Sequence, residues 1–77
     1  MRIEVLGIGC VKCKKLYENV SAAAKGLNMD IDIIKTEDMD DILDYGVMML
    51  PALVVDGIVV SSGKVLSEGE IKKIILK

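Results

Sequence analysis

The chain has 77 residues, of which 52% are hydrophobic, and it carries a formal net charge of -2. This length predicts one domain over residues 1–77, and the apolar fraction is high enough to give so short a chain a core of its own. The negative charge and the presence of only two aromatic side chains argue against nucleic-acid binding. The lack of histidine excludes histidine-dependent catalysis and histidine metal ligands.

The apolar segments are too short for targeting or membrane insertion. The longest of them, "GVMMLPALVV" at residues 46–55, contains a proline, whereas a bilayer-spanning helix needs roughly 20 apolar residues. We therefore expect a cytoplasmic protein that has no contact with a membrane. In that compartment structural disulfides are rare, so a CxxC motif is more often catalytic or metal-binding.

The first two elements predicted along the chain are a strand and a helix. Alternating and β-branched apolar residues predict a strand over Arg2–Leu6. The next apolar positions recur every three or four residues, which is the pattern of one helix face. Cys10 lies at the predicted start of this helix, Cys13 lies one turn in on the buried face, and Gly26 is the predicted left-handed residue that ends it.

One strand, a short helix and a hairpin follow. "MDIDII" predicts a second strand over Met29–Ile34, and acidic residues before an apolar face predict a short helix over about Asp38–Tyr45. In "ALVVDGIVV" two β-branched runs flank Asp56-Gly57. This pair is typical of a two-residue type I′ turn, so we expect an antiparallel hairpin.

A capped helix is predicted to end the chain. Ser67 and Glu70 have the spacing of a capping box, and Leu66 and Ile71 have the spacing of a hydrophobic staple. The order is therefore β-α-β-α-β-β-α. Because a helical crossover joins the first two strands, they should be parallel, which gives a mixed four-stranded sheet with helices on both faces.

The chemistry of the chain is expected at Cys10 and Cys13, its only cysteines. The free N–H groups of a helix start and the charge of Lys12 favour the Cys10 thiolate, which is the reactive form. A reversible disulfide, a metal site and a structural pair all remain possible from the spacing alone. Copper(I) would be bound by the two thiolates, and zinc would need two chains to share their cysteines.

The motifs "GIGCVKC", "LPALVVDG" and "SGKVLSEGEIKK", taken with the order of elements, resemble the small thioredoxin/glutaredoxin-like redox-active disulfide proteins. The resemblance implies a minimal thioredoxin-like fold and a protein disulfide reductase that needs no cofactor. It implies that Cys10 attacks, that Cys13 resolves the mixed disulfide, and that Pro51 is a cis proline beside them. Val11-Lys12 between the cysteines departs from the usual residues at positions that tune the reduction potential in this family. Met49-Leu50 before Pro51 and Gly63-Lys64 after the hairpin depart from the usual glutaredoxin residues, which favours a thioredoxin-reductase-type electron donor over glutathione.

Several supporting residues are expected around this site. Lys12 supports the thiolate, and Gly9, Leu50 and Gly63 are expected to contact disulfide-containing protein substrates. The Leu50 backbone would pair with an extended substrate segment. We expect a monomer without a resident metal, and the alternative function is a soft-metal carrier that uses the two thiolates.

Two features leave alternatives open. Glu4 is interpreted as an exposed strand carboxylate, and the alternative is a buried acid that takes the proton of Cys13. Residues 47–50 ("VMML") form either a partner-docking patch or part of the core.

Overall fold

The computed structural model describes residues 1–9 and 11–76. In this part of the chain the elements, in order, are β1 (Arg2–Leu6), α1 (Val11–Leu27), β2 (Asp32–Thr36), α2 (Met39–Asp44), β3 (Ala52–Val55), β4 (Ile58–Ser62) and α3 (Glu68–Ile75). The predicted β-α-β-α-β-β-α order is confirmed. None of the helices in the described part is long and apolar enough to cross a membrane.

The strands form one mixed sheet in the order β2-β1-β3-β4. β1 and β2 are parallel, as expected for strands joined by a helical crossover, while the β1–β3 and β3–β4 pairs are antiparallel. The hairpin turn has φ 48° at Asp56 and φ 84° at Gly57. Both values are positive, as a type I′ turn requires, so this prediction is also confirmed.

Apolar side chains pack on both faces of the sheet, because successive residues of a strand point to opposite faces. On one face, β1 and β3 pack against α1 and α3 in the cluster Ile3, Val5, Leu16, Val20, Ala23, Leu53, Leu66, Ile71 and Ile75. On the other face, α2 packs in the cluster Leu6, Ile42, Ala52 and Val54. The predicted arrangement of helices on both faces is confirmed, and both β1 and β3 contribute side chains to each cluster.

α3 begins as its sequence predicts. The Ser67 side chain accepts a hydrogen bond from the Glu70 backbone N–H, and the Glu70 side chain accepts one from the Ser67 N–H. Leu66 and Ile71, the predicted staple pair, are both buried in the first cluster. The capping box therefore fixes the point where the chain turns from the hairpin into this helix.

Two predicted boundaries are wrong. The second strand runs from Asp32 to Thr36 rather than over Met29–Ile34, because these five residues pair one to one with β1. α1 continues through Gly26 to Leu27, whose side chain packs against the core. Asn28, with φ 52°, takes the left-handed position instead, which asparagine tolerates better than most residues.

Candidate active site

Cys13 is the third residue of α1, and its side chain is buried with only 6% of its surface exposed. Leu16 and Val20 follow it on the same face of the helix and are fully buried. This is the stripe that the sequence predicts, so the predicted burial of Cys13 is confirmed. The exposure and reactivity predicted for Cys10 lie outside the described residues.

Gly7 allows Cys13 to approach the end of β1. A Cβ atom built on Gly7 would lie 2.7 Å from the Cβ of Cys13 and would also overlap its sulfur. Gly7 is itself buried. Only a residue without a side chain therefore fits between β1 and the first turn of α1, and this contact holds the Cys13 thiol against the sheet.

A cavity of about 200 Å³ opens beside Cys13. It lies where β1 and β2 end, and because these strands are parallel, both carboxyl ends reach the same edge of the sheet. The residues that line it are Val5, Gly7, Gly9, Cys13, Lys14, Lys35 and Glu37. The structure thus brings Gly9, one of the predicted substrate contacts, to the same cavity as Cys13.

Charged side chains surround the mouth of this cavity. Lys14 from α1, Lys35 from β2 and Glu37 just beyond β2 are all exposed. The Lys35 ammonium also lies over the Tyr17 ring, 4.8 Å from its centre, as a cation–π contact. Two cations and one anion therefore border the cavity beside Cys13.

Lys12 occupies a different position from these lysines. It is the second residue of α1, it is exposed, and it does not line the cavity. Its predicted support of the Cys10 thiolate stays a prediction, because Cys10 lies outside the described residues.

The Leu50–Pro51 peptide bond is cis, as predicted. Pro51 is buried directly before β3, and its carbonyl oxygen accepts a hydrogen bond of 2.8 Å from the Gly63 N–H. Gly63 has φ 71°, and a Cβ atom on it would lie 3.0 Å from the Cβ of Met49. The structure therefore brings two predicted substrate contacts, Leu50 and Gly63, to adjoining loops. Packing of Pro51 against the cysteines stays a prediction.

The sequence leaves two alternatives for residues 47–50, a partner-docking patch or part of the core, and the structure shows features of both. Val47 and Leu50 are partly buried against the second cluster. Met48 and Met49 are exposed, Met48 to 96%. Two residues of the segment therefore pack against the core, and its two methionines are exposed to solvent. Flexible, polarisable side chains of this kind adapt to varied partner surfaces.

Glu4 is buried, with 7% of its surface exposed, so its interpretation as an exposed carboxylate is wrong. The alternative role as proton acceptor for Cys13 does not fit either. Ile3 and Val5 pack with α1, so the side chain of Glu4, between them in the strand, lies on the opposite face. There it accepts hydrogen bonds from Thr36 Oγ1, at 3.1 Å, and from the Tyr45 hydroxyl.

Sequence reasoning missed Gly7, Lys35 and Glu37. Their signal is the parallel pairing of β1 and β2, which places the residues after both carboxyl ends beside the start of the intervening helix. Ligands and reacting groups gather at such an edge in open α/β sheets. The predicted second strand ended two residues too early, at Ile34. With its end at Thr36, Glu37 would have been the first residue after the strand and therefore a candidate for the site.

The fold and this site define a minimal thioredoxin-like domain. A family model described as "Thioredoxin domain" matches residues 1–76. The chain is 43% identical over 75 residues to a thioredoxin of Methanothermobacter thermautotrophicus, which covers 97% of each chain. It is 38% identical over 71 residues to a thioredoxin of Methanocaldococcus jannaschii, which covers 92% of this chain and 81% of the relative.

The chain belongs to the thioredoxin domain family, and its activity is that of a thiol–disulfide oxidoreductase. Thioredoxins act on disulfide substrates and are reduced again by a reductase. The alternative of a soft-metal carrier finds no support. The family model is that of a thioredoxin domain, and both relatives are named as thioredoxins.

Proposed function

We propose that the chain reduces protein disulfides through a reversible disulfide between Cys10 and Cys13. The observation that carries this proposal is the position of Cys13. It is buried in the first turn of α1, three residues after Cys10, and it borders a cavity that reaches solvent. A thiol held there is shielded from other disulfides, and its place three residues after Cys10 in the chain suits it to resolve a mixed disulfide at that cysteine.

The reaction has two steps. The Cys10 thiolate attacks one sulfur of the substrate disulfide, forms a mixed disulfide and releases the other sulfur as a thiolate. The Cys13 sulfur then attacks Cys10, the Cys10–substrate bond breaks, and the second substrate thiolate leaves. The products are the reduced substrate and a Cys10–Cys13 disulfide, which a reductase of the thioredoxin-reductase type resets.

Three further groups have supporting roles in this proposal. Lys12 stabilises the Cys10 thiolate by its charge. Gly9 and Gly63 leave room for the substrate on the two sides of the site, and the Leu50 backbone pairs with an extended substrate segment. The positive φ of Gly9 and Gly63 and the adjoining positions of Leu50 and Gly63 support these roles. Pro51 keeps the Leu50 loop in place, because its carbonyl oxygen accepts a hydrogen bond from the Gly63 N–H.

The proposal extends to the setting of the reaction. The chain works as one domain over residues 1–77, as a cytoplasmic monomer that needs no cofactor. The match of the family model to nearly the whole chain supports the single domain.

A pair of serine variants tests the proposal. Cys13→Ser should trap a mixed disulfide between Cys10 and a peptide disulfide substrate, because the resolving sulfur is missing. Cys10→Ser should trap none, since the buried Cys13 is shielded from substrate. Equal trapping by the two variants, or trapping by Cys10→Ser alone, would contradict the assignment of roles. Non-reducing mass spectrometry after acid quenching identifies the trapped cysteine.

A further inference from the structure

Residues 46–50 lead from the end of α2 to the cis bond at Pro51, and the Leu50 backbone at their end is the proposed pairing partner of the substrate. Within the part of the chain that the structure describes, no hydrogen bond between backbone groups holds residues 47–50. Val47 and Leu50 pack against the second cluster, and the methionines between them are exposed. The position of the Leu50 backbone therefore depends on how the two ends of the segment are held.

The end at Pro51 is joined directly to the sheet. The Pro51 carbonyl oxygen accepts a hydrogen bond of 2.8 Å from the Gly63 N–H, and Ala52, the first residue of β3, pairs with both neighbouring strands. The end at α2 has no such pairing. α2 is six residues long and buries one of them, Ile42. So short a helix is marginal on its own, so its position needs a further contact with the sheet.

Tyr45 supplies this contact. It is the C-cap residue of α2, and its ring packs against the second cluster. Its hydroxyl donates a hydrogen bond to the buried carboxylate of Glu4. Glu4 belongs to β1, which is paired on one side with β2 and on the other with β3. The residue directly before the segment 46–50 is thus bonded to the strand of the sheet that has neighbours on both sides.

We propose that Tyr45 is a positioning residue for substrate binding. Its hydrogen bond to Glu4 fixes the start of the segment 46–50, and through it the Leu50 backbone that pairs with an extended substrate. Tyr45 does not line the cavity beside Cys13, so its role concerns the polypeptide around the substrate disulfide and not the chemistry of the sulfurs. This inference rests on the proposed function, which assigns the pairing to Leu50.

Two probes that carry the same reactive bond separate binding from chemistry. The first is a flexible peptide whose central cysteine is joined by a disulfide to 2-nitro-5-thiobenzoate. The second is N-acetylcysteine amide with the same group and no flanking residues. The Cys10 thiolate attacks the cysteine sulfur of either probe, the new mixed disulfide forms, and the coloured thiolate leaves with the electron pair of the broken bond. Its rate of release at increasing probe concentration gives a half-saturating concentration and a maximal rate.

Tyr45→Phe should weaken binding of the peptide probe alone. We expect its half-saturating concentration to rise by roughly threefold to tenfold, as when the net contribution of one hydrogen bond is lost. The maximal rate with the peptide and the rate with the short probe should stay at the wild-type values, because the substitution leaves Cys10 and its surroundings unchanged. Equal slowing with both probes, or no change with either, would overturn the proposal.

Thr36→Val is the matched control. Thr36 is buried at the end of β2, and its Oγ1 donates the other hydrogen bond to the same carboxylate of Glu4. The substitution therefore removes one donor from the same buried acceptor but leaves the contact between α2 and the sheet intact. It should cost stability as Tyr45→Phe does and keep the wild-type half-saturating concentration. If Thr36→Val weakens peptide binding as much as Tyr45→Phe, lost stability is the cause and the proposal is wrong.

Amide resonances measured by NMR give a second reading, which needs no substrate. Tyr45→Phe should shift the resonances of residues 47–50, whereas Thr36→Val should leave them in place; unshifted resonances in Tyr45→Phe would contradict the positioning role. If Tyr45→Phe does not fold alone, Gly69→Ala is added to every protein compared. A Cβ atom at Gly69 contacts nothing within 4 Å, and alanine strengthens the helix α3.

The wild-type protein tells failure of this proposal from failure of the proposed function. If neither probe reacts at Cys10, the proposed function fails and the role of Tyr45 fails with it. If the wild type reacts with the peptide no better than with the short probe, the pairing with the Leu50 backbone and the role of Tyr45 are both wrong. If the wild type prefers the peptide and Tyr45→Phe keeps the whole preference, only the assignment of Tyr45 fails.

Discussion

The Tyr45 hydroxyl donates a hydrogen bond to the buried carboxylate of Glu4 and so ties the end of α2 to the central strand of the sheet. Tyr45 is the C-cap residue of α2. Thr36 Oγ1 donates to the other carboxylate oxygen at 3.1 Å, and the Arg2 guanidinium lies 3.6 Å from it. A buried carboxylate on β1 thus has two hydrogen-bond donors and a cation. The segment that leads to Pro51 begins directly after this anchor.

Replacing Tyr45 with phenylalanine should destabilise the fold. The substitution keeps the ring but removes the donor, so one oxygen of the buried Glu4 carboxylate loses its partner. Leaving a buried acceptor unsatisfied costs about 1–3 kcal/mol. Urea denaturation followed by circular dichroism measures this change in the free energy of unfolding.

Tyr17→Phe is the matched control, because Tyr17 and Tyr45 are the only tyrosines in the chain. The Tyr17 ring contacts Lys35 by its face, which phenylalanine retains. We expect a change within about 0.5 kcal/mol, as is usual for surface substitutions. If both variants lose the same stability, the hydroxyl of Tyr45 has no special role.

The same contact gives the protein a stability that depends on pH in the alkaline range. The hydrogen bond to Glu4 is the main cause that raises the pKa of Tyr45 above its ordinary value of 10.0, with desolvation adding to it. In the folded state the phenol therefore keeps its proton at a pH where the unfolded chain has lost it. The stabilisation from this hydrogen bond is complete when the pH is below the ordinary pKa of tyrosine. It is lost as the pH rises through the higher pKa that Tyr45 has in the folded state.

Absorbance of the phenolate in Tyr17→Phe reports Tyr45 alone. We expect a midpoint above 10.0, and an unfolding free energy that declines once pH exceeds that value. A midpoint below 10.0, or a stability that increases through this range, would contradict the hydrogen bond as the cause.

A side chain at position 7 should displace Cys13. In Gly7→Ala the added methyl group would overlap Cys13, 2.7 Å from its Cβ. Overpacking of this kind typically costs 1–3 kcal/mol, and we expect about that loss together with slower resolution by the displaced Cys13. Chemical denaturation measures the loss of stability. The rate of resolution is measured with excess 5,5′-dithiobis(2-nitrobenzoate), where attack by Cys10 releases a first chromophore and resolution by Cys13 releases a second.

Gly69→Ala is the control for this substitution. Gly69 lies in α3, and a Cβ atom there would contact nothing within 4 Å. Alanine favours a helix over glycine, so we expect a gain of roughly 0.5–1 kcal/mol. A loss in Gly69→Ala as large as that in Gly7→Ala would mean that any added methyl group harms this small domain.

Removing the cap of α3 should weaken the hydrophobic cluster shared with α1. Ser67→Ala loses the acceptor for the Glu70 N–H, and such substitutions cost about 0.5–2 kcal/mol. The hydrogen bond with the Ser67 backbone also holds the pKa of Glu70 below its ordinary value. The stability that this hydrogen bond adds is fully present when the pH is above the ordinary pKa of Glu70. It is lost as the pH falls through the lower pKa that Glu70 has in the folded state.

Urea denaturation at neutral and acidic pH checks both statements. Ser62→Ala, at the exposed end of β4, is the control and should stay within about 0.5 kcal/mol of the wild type. Glu70→Gln removes the charge that the Ser67 backbone N–H stabilises, so the difference in unfolding free energy between the wild type and Glu70→Gln should shrink as the pH is lowered. A difference that grows on acidification would contradict the assigned role of Glu70.

Much of the fold follows from local sequence signals. The Asp56-Gly57 turn, the Ser67–Glu70 cap and the apolar stripe through Cys13 each depend on residues close together in the chain, so a pattern can reveal them. The two wrong boundaries, at Gly26 and in the second strand, depend on contacts with residues that are distant in the chain. The core holds α1 through Leu27, and pairing with β1 sets the limits of β2.

The site was predicted only in part, for the same reason. The burial of Cys13 and the cis bond at Pro51 were predicted, whereas the environment of Glu4 was not. A lone glutamate between apolar residues gives no sign of donors that are 32 and 41 residues away. The cavity with Glu37 likewise depends on how parallel strands bring two distant segments together.

Titration of the two thiols in a series of glutathione redox buffers tests the central claim most directly. After equilibration, alkylation and mass spectrometry count the thiols that remain at Cys10 and Cys13. The account predicts that both disappear together along one two-electron curve, and that Cys10→Ser and Cys13→Ser show no such transition. Oxidised protein in which one cysteine keeps its thiol while the other is joined only to glutathione would contradict a reversible Cys10–Cys13 disulfide.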